Sequence, residues 1–226
     1  MSGDQTHDIE WRPGHLPISR RFDDPYFSID NGLAETRQVF LRGNDLPGRF
    51  HDGFHIAELG FGTGLNLLAA LHMWRETGQT GTLHFTTFEA FPLAPAQIAE
   101  AHRAFPELAD LSCELAPLWH AGPGRFTHGA LQFEMIPGDA RETLHEWQGL
   151  ADAWFLDGFS PAKNPELWSP DLMQQVAQHT APTGTAATYT AAGHVRRALA
   201  EAGFTVTRAP GYGRKRHMTT CAMGPA

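Results

Sequence analysis

Glu58-Leu59-Gly60-Phe61-Gly62-Thr63-Gly64 is the stretch whose reading decides the fold. It follows a run with strand composition (54–58) and opens a run with helical periodicity that continues to Trp74. Glycines at such a junction let the backbone turn tightly and approach a ligand, while the helix N-terminus offers free N–H donors. A dinucleotide fingerprint, Gly-x-Gly-x-x-Gly/Ala counted from Gly60, would put its third small residue at Leu65, which does not fit. The spacing is Gly-x-Gly-x-Gly, with Glu58 two residues ahead of the first glycine.

Outward from this turn, strand-like runs at 83–89, 132–136, 153–157, 185–189, 204–208 and 219–223 alternate with helical patterns at 95–105, 141–147, from Pro170 towards His179, and 194–202. Alternation of this kind predicts an α/β fold of Rossmann-like type: a mainly parallel seven-stranded sheet with helices on both faces. Residues 51–226 read as this domain and residues 1–50 as an extension packed on it. In the extension, Asn31-Gly32 is a strong turn signal and predicts a hairpin.

Ligands of such sheets sit in the crevice beyond the carboxyl ends of the strands. Glu58, Glu89, Asp139, Asp157 and Tyr189 occupy those exits, so four of the five carry an acid at or just beyond the strand end. An acid beside the glycine turn repels a pyrophosphate and suits a cationic ligand. S-adenosyl-L-methionine, with an ammonium and a sulfonium, is such a ligand. Glu89 is then placed for ribose hydroxyls and Asp139 for the adenine amino group. Any one of these acids is more often a helix cap or a solvated loop residue; it is their succession around one glycine turn that favours the cofactor.

The run Asp157-Gly158-Phe159-Ser160-Pro161-Ala162-Lys163-Asn164-Pro165-Glu166-Leu167-Trp168 starts where an apolar strand ends. Two prolines stiffen it, and Phe159 and Trp168 flank its polar residues as stacking surfaces for a base. The plainer reading is a rigid surface loop with its aromatics tucked into the core.

The formal net charge of −8 argues against binding nucleic acid by bulk electrostatics. Basic residues nevertheless gather late, at Arg196-Arg197, Arg208 and Arg214-Lys215-Arg216. They read equally well as a local RNA contact or as a solvated face. Cys113 and Cys221 are far apart and read as buried thiols. Apolar runs are too short to cross a bilayer, and the polar, acidic N-terminus predicts a cytoplasmic protein. His145-Glu146-Trp147-Gln148-Gly149 breaks the His-Glu-x-x-His pattern at its last position, and no metal site is expected.

These blocks together resemble the methyltransferase half of the MnmC family, the bifunctional enzymes of 5-methylaminomethyl-2-thiouridine biosynthesis, and its stand-alone form, MnmD. The resemblance is carried by residues 22–28, Asn31-Gly32-Leu33, 58–66, 155–168, 189–197 and 211–216. Ser160, Tyr189 and Thr183 depart from the family pattern without removing a charged site residue. The resemblance implies a class I methyltransferase fold that moves a methyl from S-adenosyl-L-methionine to the amine of 5-aminomethyl-(2-thio)uridine at the tRNA wobble position. It implies cofactor contacts from Glu58, Gly60, Gly62, Gly64, Asn66, Glu89, Asp139 and Asp157, with Asp157 also catalytic. Tyr26, Phe159 and Trp168 would frame the substrate, and Lys163 or Asn164 would fix the loop or touch a phosphate. Arg197, Arg214, Lys215 and Arg216 would meet the tRNA anticodon loop. The family's FAD-dependent oxidase half has no counterpart in these 226 residues and would be a separate or removed partner. The other readings are a methyltransferase of the same fold acting on another amine, a nucleotide-dependent oxidoreductase, disfavoured by the glycine spacing, and a non-catalytic RNA-binding module.

Overall fold

In the computed structural model, which describes residues 9–224, the chain enters through a hairpin of β1 (Ile9–Arg12) and β2 (Leu16–Ser19), with the two-residue β3 (Asp24–Pro25) beside β2. The first eight residues of the extension lie outside the described residues. The hairpin turn falls at Pro13-Gly14-His15, where Gly14 and His15 both have positive φ. Asn31-Gly32 is not a hairpin turn. Asn31 caps α1 (Gly32–Thr36), its Oδ1 accepting the Ala34 N–H at 2.9 Å. The same short polar side chain that favours turns also satisfies a free helical N–H, and the buried Leu33 and Thr36 that follow decide for the helix. A π-helical turn, Arg37–Leu41, carries the chain onto the main sheet.

The alternating units follow as β4 (Phe54–Leu59), α2 (Leu65–Glu76), β5 (Leu83–Glu89), α3 (Pro95–His102), α4 (Ala109–Glu114), α5 (Ala116–Ala121), β6 (Gly124–His128) and β7 (Leu131–Pro137). The second half runs α6 (Ala140–Thr143), β8 (Ala151–Leu156), α7 (Pro170–Gln178), β9 (Thr180–Thr188), α8 (Gly193–Glu201), β10 (Phe204–Pro210) and β11 (His217–Met223). Among the described residues the main sheet has eight strands in the order β10-β11-β9-β8-β4-β5-β7-β6, of which β9, β8, β4, β5 and β7 are mutually parallel.

The eighth strand is β6, which pairs antiparallel with β7 at the sheet edge. Its run, Gly-Arg-Phe-Thr-His, holds one apolar residue and shows no alternation, so it carries no strand signal of its own. Pairing with β7 and the Arg125–Glu134 ion pair at 2.8 Å hold it. The closing strand β11 inserts antiparallel between β9 and β10.

Both faces of the sheet are covered, which is why its central strands read as continuous apolar runs. Along β8, Ala153 and Phe155 pack with α2 and the Leu33, Phe40 and Leu41 segment, while Trp154 and Leu156 face Leu172, Val176, Val195 and Leu199 of α7 and α8. The two thiols differ from expectation: Cys221 is buried, but Cys113 is exposed on the outer side of α4, whose inner side is Leu111 and Ser112.

From β4 the chain winds outward through β5 to β7, then returns to the other side of β4 as β8. The crevice therefore opens where β4 and β8 end, with the glycine turn on one lip and Asp157 on the other.

Candidate active site

A cavity of about 860 Å³ opens at this switch point. Gly60, Gly62, Asn66, Glu89, Asp139, Asp157, Phe159, Lys163, Asn164, Tyr26, Arg214 and Lys215 line it. Of the other residues singled out from the sequence, Glu58, Gly64, Trp168, Arg197 and Arg216 lie off its wall.

The three glycines of the turn have φ of 82°, 54° and 76°, the left-handed region that side chains rarely adopt. A Cβ on Gly60 would lie 2.9 Å from the Asp157 carbonyl oxygen, and one on Gly62 would lie 3.2 Å from the Tyr26 ring. Gly64 faces inward instead: its Cβ position is filled by the Phe61 ring at 2.7 Å. Glu89 holds the turn from below, its carboxylate accepting the Gly62 N–H at 3.0 Å and the Phe91 N–H at 2.7 Å. Burial pushes the Glu89 pKa up against these bonds.

Asn66, in the first turn of α2, ties two acids together. Its Nδ2 donates to Glu58 Oε1 at 2.9 Å and to Asp157 Oδ2 at 2.8 Å, while its Oδ1 accepts the Thr36 hydroxyl at 2.9 Å. Glu58 is fully buried, with its other oxygen accepting from Thr87 at 2.9 Å. Burial drives its pKa well above the carboxylate range, and the nearby Asp157 and Glu89 add to the rise. Glu58 was expected to meet a cationic ligand. It faces the sheet interior, and its route to the cavity runs through Asn66.

Asp157 sits on the wall itself. Its Oδ1 accepts the Gly158 N–H at 2.8 Å, and its pKa is pushed up to about 6, chiefly by burial, against the Asn66 and Gly158 bonds. A carboxylate poised there can take up and release a proton near neutrality.

The loop after β8 is pinned at several points. The Ser160 N–H donates to Asp24 at 2.8 Å, and Lys163 reaches the Asp23 carbonyl and carboxylate and lies 3.6 Å from Asp24. Lys163 thus ties the loop to the extension. Trp168 was expected to stack on a base. It is 2% exposed, and its indole N–H donates to the Phe159 carbonyl at 3.0 Å, so it supports the loop from inside the core. The ring that joins Phe159 at the cavity is Phe22, stacked at 4.6 Å, with Tyr26 edge-on at 5.1 Å.

Asp139 caps α6, and its oxygens are engaged by Arg141 at 2.5–3.0 Å. Any adenine contact there would share the acid with Arg141. Lys215, expected on phosphate, donates to Glu35 at 2.8 Å and lies 4.0 Å above the Tyr189 ring. Arg197 and Arg216 are exposed, and Arg214 stands at the mouth 3.7 Å from Asp30.

A family model described as S-adenosyl-L-methionine-dependent methyltransferase matches residues 110–224. The chain belongs to this methyltransferase family. Among the methyltransferase's relatives, the tRNA 5-methylaminomethyl-2-thiouridine biosynthesis bifunctional protein MnmC of Hahella chejuensis is 44% identical over 232 residues, covering 97% of this chain and 37% of that protein. MnmC of Pseudomonas aeruginosa PAO1 is 45% identical over 229 residues, covering 96% of this chain and 35% of that protein. The methyltransferase thus spans about a third of the length of these curated relatives. The crystal structure of MnmC2 from Aquifex aeolicus superposes with a TM-score of 0.77 at 26% identity, covering 97% of this chain and 71% of that one. A methyltransferase from Pyrococcus furiosus shares the fold, with a TM-score of 0.52 at 15% identity over 96% and 89% of the two chains.

The donor set of this methyltransferase fits its family's cofactor. The cradle at Gly60 and Gly62 closes if a Cβ is added. The Glu89 and Asp139 carboxylates on the cavity wall are acceptors of the kind that hydroxyl and amino donors need, each already engaged by protein N–H groups. Among the wall residues that escaped the sequence reading as site residues are Glu35, Arg141 and Phe22. Phe22 belongs to a block that stood out, but Glu35 and Arg141 look like ordinary helix-surface charges until the chain is folded.

Proposed function

We propose that this chain transfers a methyl group from S-adenosyl-L-methionine to the primary amine of 5-aminomethyl-(2-thio)uridine at the wobble position of tRNA, giving 5-methylaminomethyl-(2-thio)uridine. The observation that carries this reading is Asp157, an acid with its pKa near 6 on the cavity wall, next to the Phe159–Phe22 aromatic pair. The names of the MnmC relatives support the substrate.

On this reading Gly60 and Gly62 admit the cofactor, Glu89 holds its ribose, and Asp139 holds its adenine in competition with Arg141. When bound, the cofactor supplies an electrophilic methyl group. An amine reaches the site largely as an ammonium and is a nucleophile only without that proton. Asp157 accepts that proton and passes it to water, and its carboxylate, charged again, stabilises the positive charge that the nitrogen gains on methylation. Asn66 holds the carboxylate in place. Phe159, Phe22 and Tyr26 flank the base, which an anticodon loop releases from its stack more cheaply than a duplex does. Arg197, Arg214 and Arg216 contact the RNA backbone, and a tRNA substrate puts the enzyme in the cytoplasm. Among the described residues no helix is long and apolar enough to cross a membrane.

The test is incorporation of labelled methyl from S-adenosyl-L-methionine into tRNA that carries, or lacks, the aminomethyl group. Incorporation only into the aminomethylated tRNA is expected. Equal labelling of both would point to another acceptor, and tRNA binding with no labelling of either would make the chain an RNA-binding module.

A further inference from the structure

We propose that Lys215 and Glu35 form a charge-setting pair that adjusts the proton affinity of Asp157, so that Lys215 acts on the acceptor chemistry and not on the RNA backbone. The inference rests on the proposed role of Asp157 as the group that handles the amine's proton.

The pair is assembled from distant segments. Glu35 is in α1, 9% exposed, and Lys215 arrives from the loop between β10 and β11. The Lys215 ammonium donates to Glu35 Oε1 at 2.8 Å and lies 4.0 Å from the Tyr189 ring centroid. A carboxylate on one side and an aromatic face on the other hold a cation in place. Tyr189 in turn donates its hydroxyl to the Gly158 carbonyl at 2.7 Å, one residue beyond Asp157. Glu35, Tyr189, Lys215 and Asp157 all line the same cavity. Lys215 spends its charge on an acid inside the cavity, whereas Arg216 on the same loop is exposed.

The charged and titratable groups around Asp157 come from every element packed there. Glu58 of β4 lies behind Asn66, with Glu89 of β5 beyond it; Glu35 comes from α1, Tyr189 follows β9, and Lys215 is in the β10–β11 loop. Asp24 of β3 stands near Tyr189. Lys215 is the cation acting on Asp157, and it lowers the pKa; Glu35 raises it. The two act in opposite directions on a carboxylate that burial chiefly places near 6, where it can accept one proton from the amine nitrogen and return it to water.

The test is a carbon-13 titration of aspartate carboxyls in the free enzyme, with Asp157 assigned by its absence in Asp157→Asn. The wild-type midpoint is expected near 6. Lys215→Met should move it up by about half a unit or more, Glu35→Gln should move it down, and Lys215→Arg should restore it. The acid limb of single-turnover methylation should follow each midpoint. Unmoved midpoints in folded Lys215→Met and Glu35→Gln would overturn the pair. So would an unmoved limb with tRNA binding whose salt slope falls by about one in Lys215→Met, the behaviour of a phosphate contact. Shifted midpoints with no methylation of aminomethylated tRNA by the wild type would instead sink the proposed function and leave the pair standing.

Discussion

The carbonyl oxygen of Asp157 lies 2.9 Å from the point where a side chain on Gly60 would begin. The ends of β4 and β8 are therefore in direct backbone contact, and the glycine turn and the acid that face each other across the crevice are positioned by one another. Gly60→Ala should cost roughly 1–2 kcal/mol for its left-handed backbone and about 1–3 kcal/mol more for the collision. Gly53 has φ of 78° and nothing within 4 Å of a Cβ, so Gly53→Ala should show only the first cost. Urea denaturation of the two variants checks the difference. Equal destabilisation would mean that the strands part without penalty.

Asp157 should lower the stability of the fold that carries it. Its pKa rises from an ordinary 3.8 to about 6 on folding, so between those values the native state binds more protons than the unfolded chain. Stability gained from protonation is complete below about 3.8 and is lost as pH rises through about 6; the loss reaches roughly 3 kcal/mol at neutrality. Asp157→Asn keeps the shape but loses one of two acceptor oxygens, a cost of about 1 kcal/mol. The variant should be roughly 1–2 kcal/mol more stable than wild type at pH 8 and no more stable at pH 4. Its single-turnover methyl transfer should fall by about 10²-fold or more. Stability curves at the two pH values and a rapid-quench assay check the pair of outcomes, and normal turnover would reduce Asp157 to a positioning residue.

On the proposed reading, Glu89 supports the cofactor through the turn as well as by direct contact. Glu89→Gln offers one acceptor oxygen where the Gly62 and Phe91 N–H groups now use two. Cofactor affinity should fall by roughly 1.5–3 kcal/mol, the range for hydrogen bonds to a charged group. Calorimetry with S-adenosylhomocysteine on the folded variant measures this, and unchanged affinity would remove Glu89 from the site.

The exposed arginines carry the prediction for RNA. Neutralising Arg214 and Arg216 together should weaken tRNA binding and lower its salt slope by about two, with cofactor affinity unaltered. Binding titrations at several salt concentrations decide it; an unaltered slope would return both residues to a solvated face.

Periodicity and spacing alone determined the architecture and the location of the crevice, because both are local signals. Strand and helix patterns repeat within a few residues of themselves, and a Gly-x-Gly-x-Gly turn after a strand constrains what can bind there wherever it sits. The acids at the strand exits were legible for the same reason. Packing between distant segments decided everything else. Asn31 became a helix cap because its neighbours found burial against the sheet, and β6 became a strand because β7 offered it an open edge. Trp168 and Glu58 carry polar atoms that suit a ligand as well as a core. Only the position of Phe159 and of Asn66 and Thr87 shows that those atoms are satisfied inside the protein. Glu35 and Lys215 are 180 residues apart and unremarkable in sequence. Their ion pair exists because α1 and the β10–β11 loop close over the same end of the sheet. Charge–charge distance across a cavity wall is a property of the folded chain that no local pattern records.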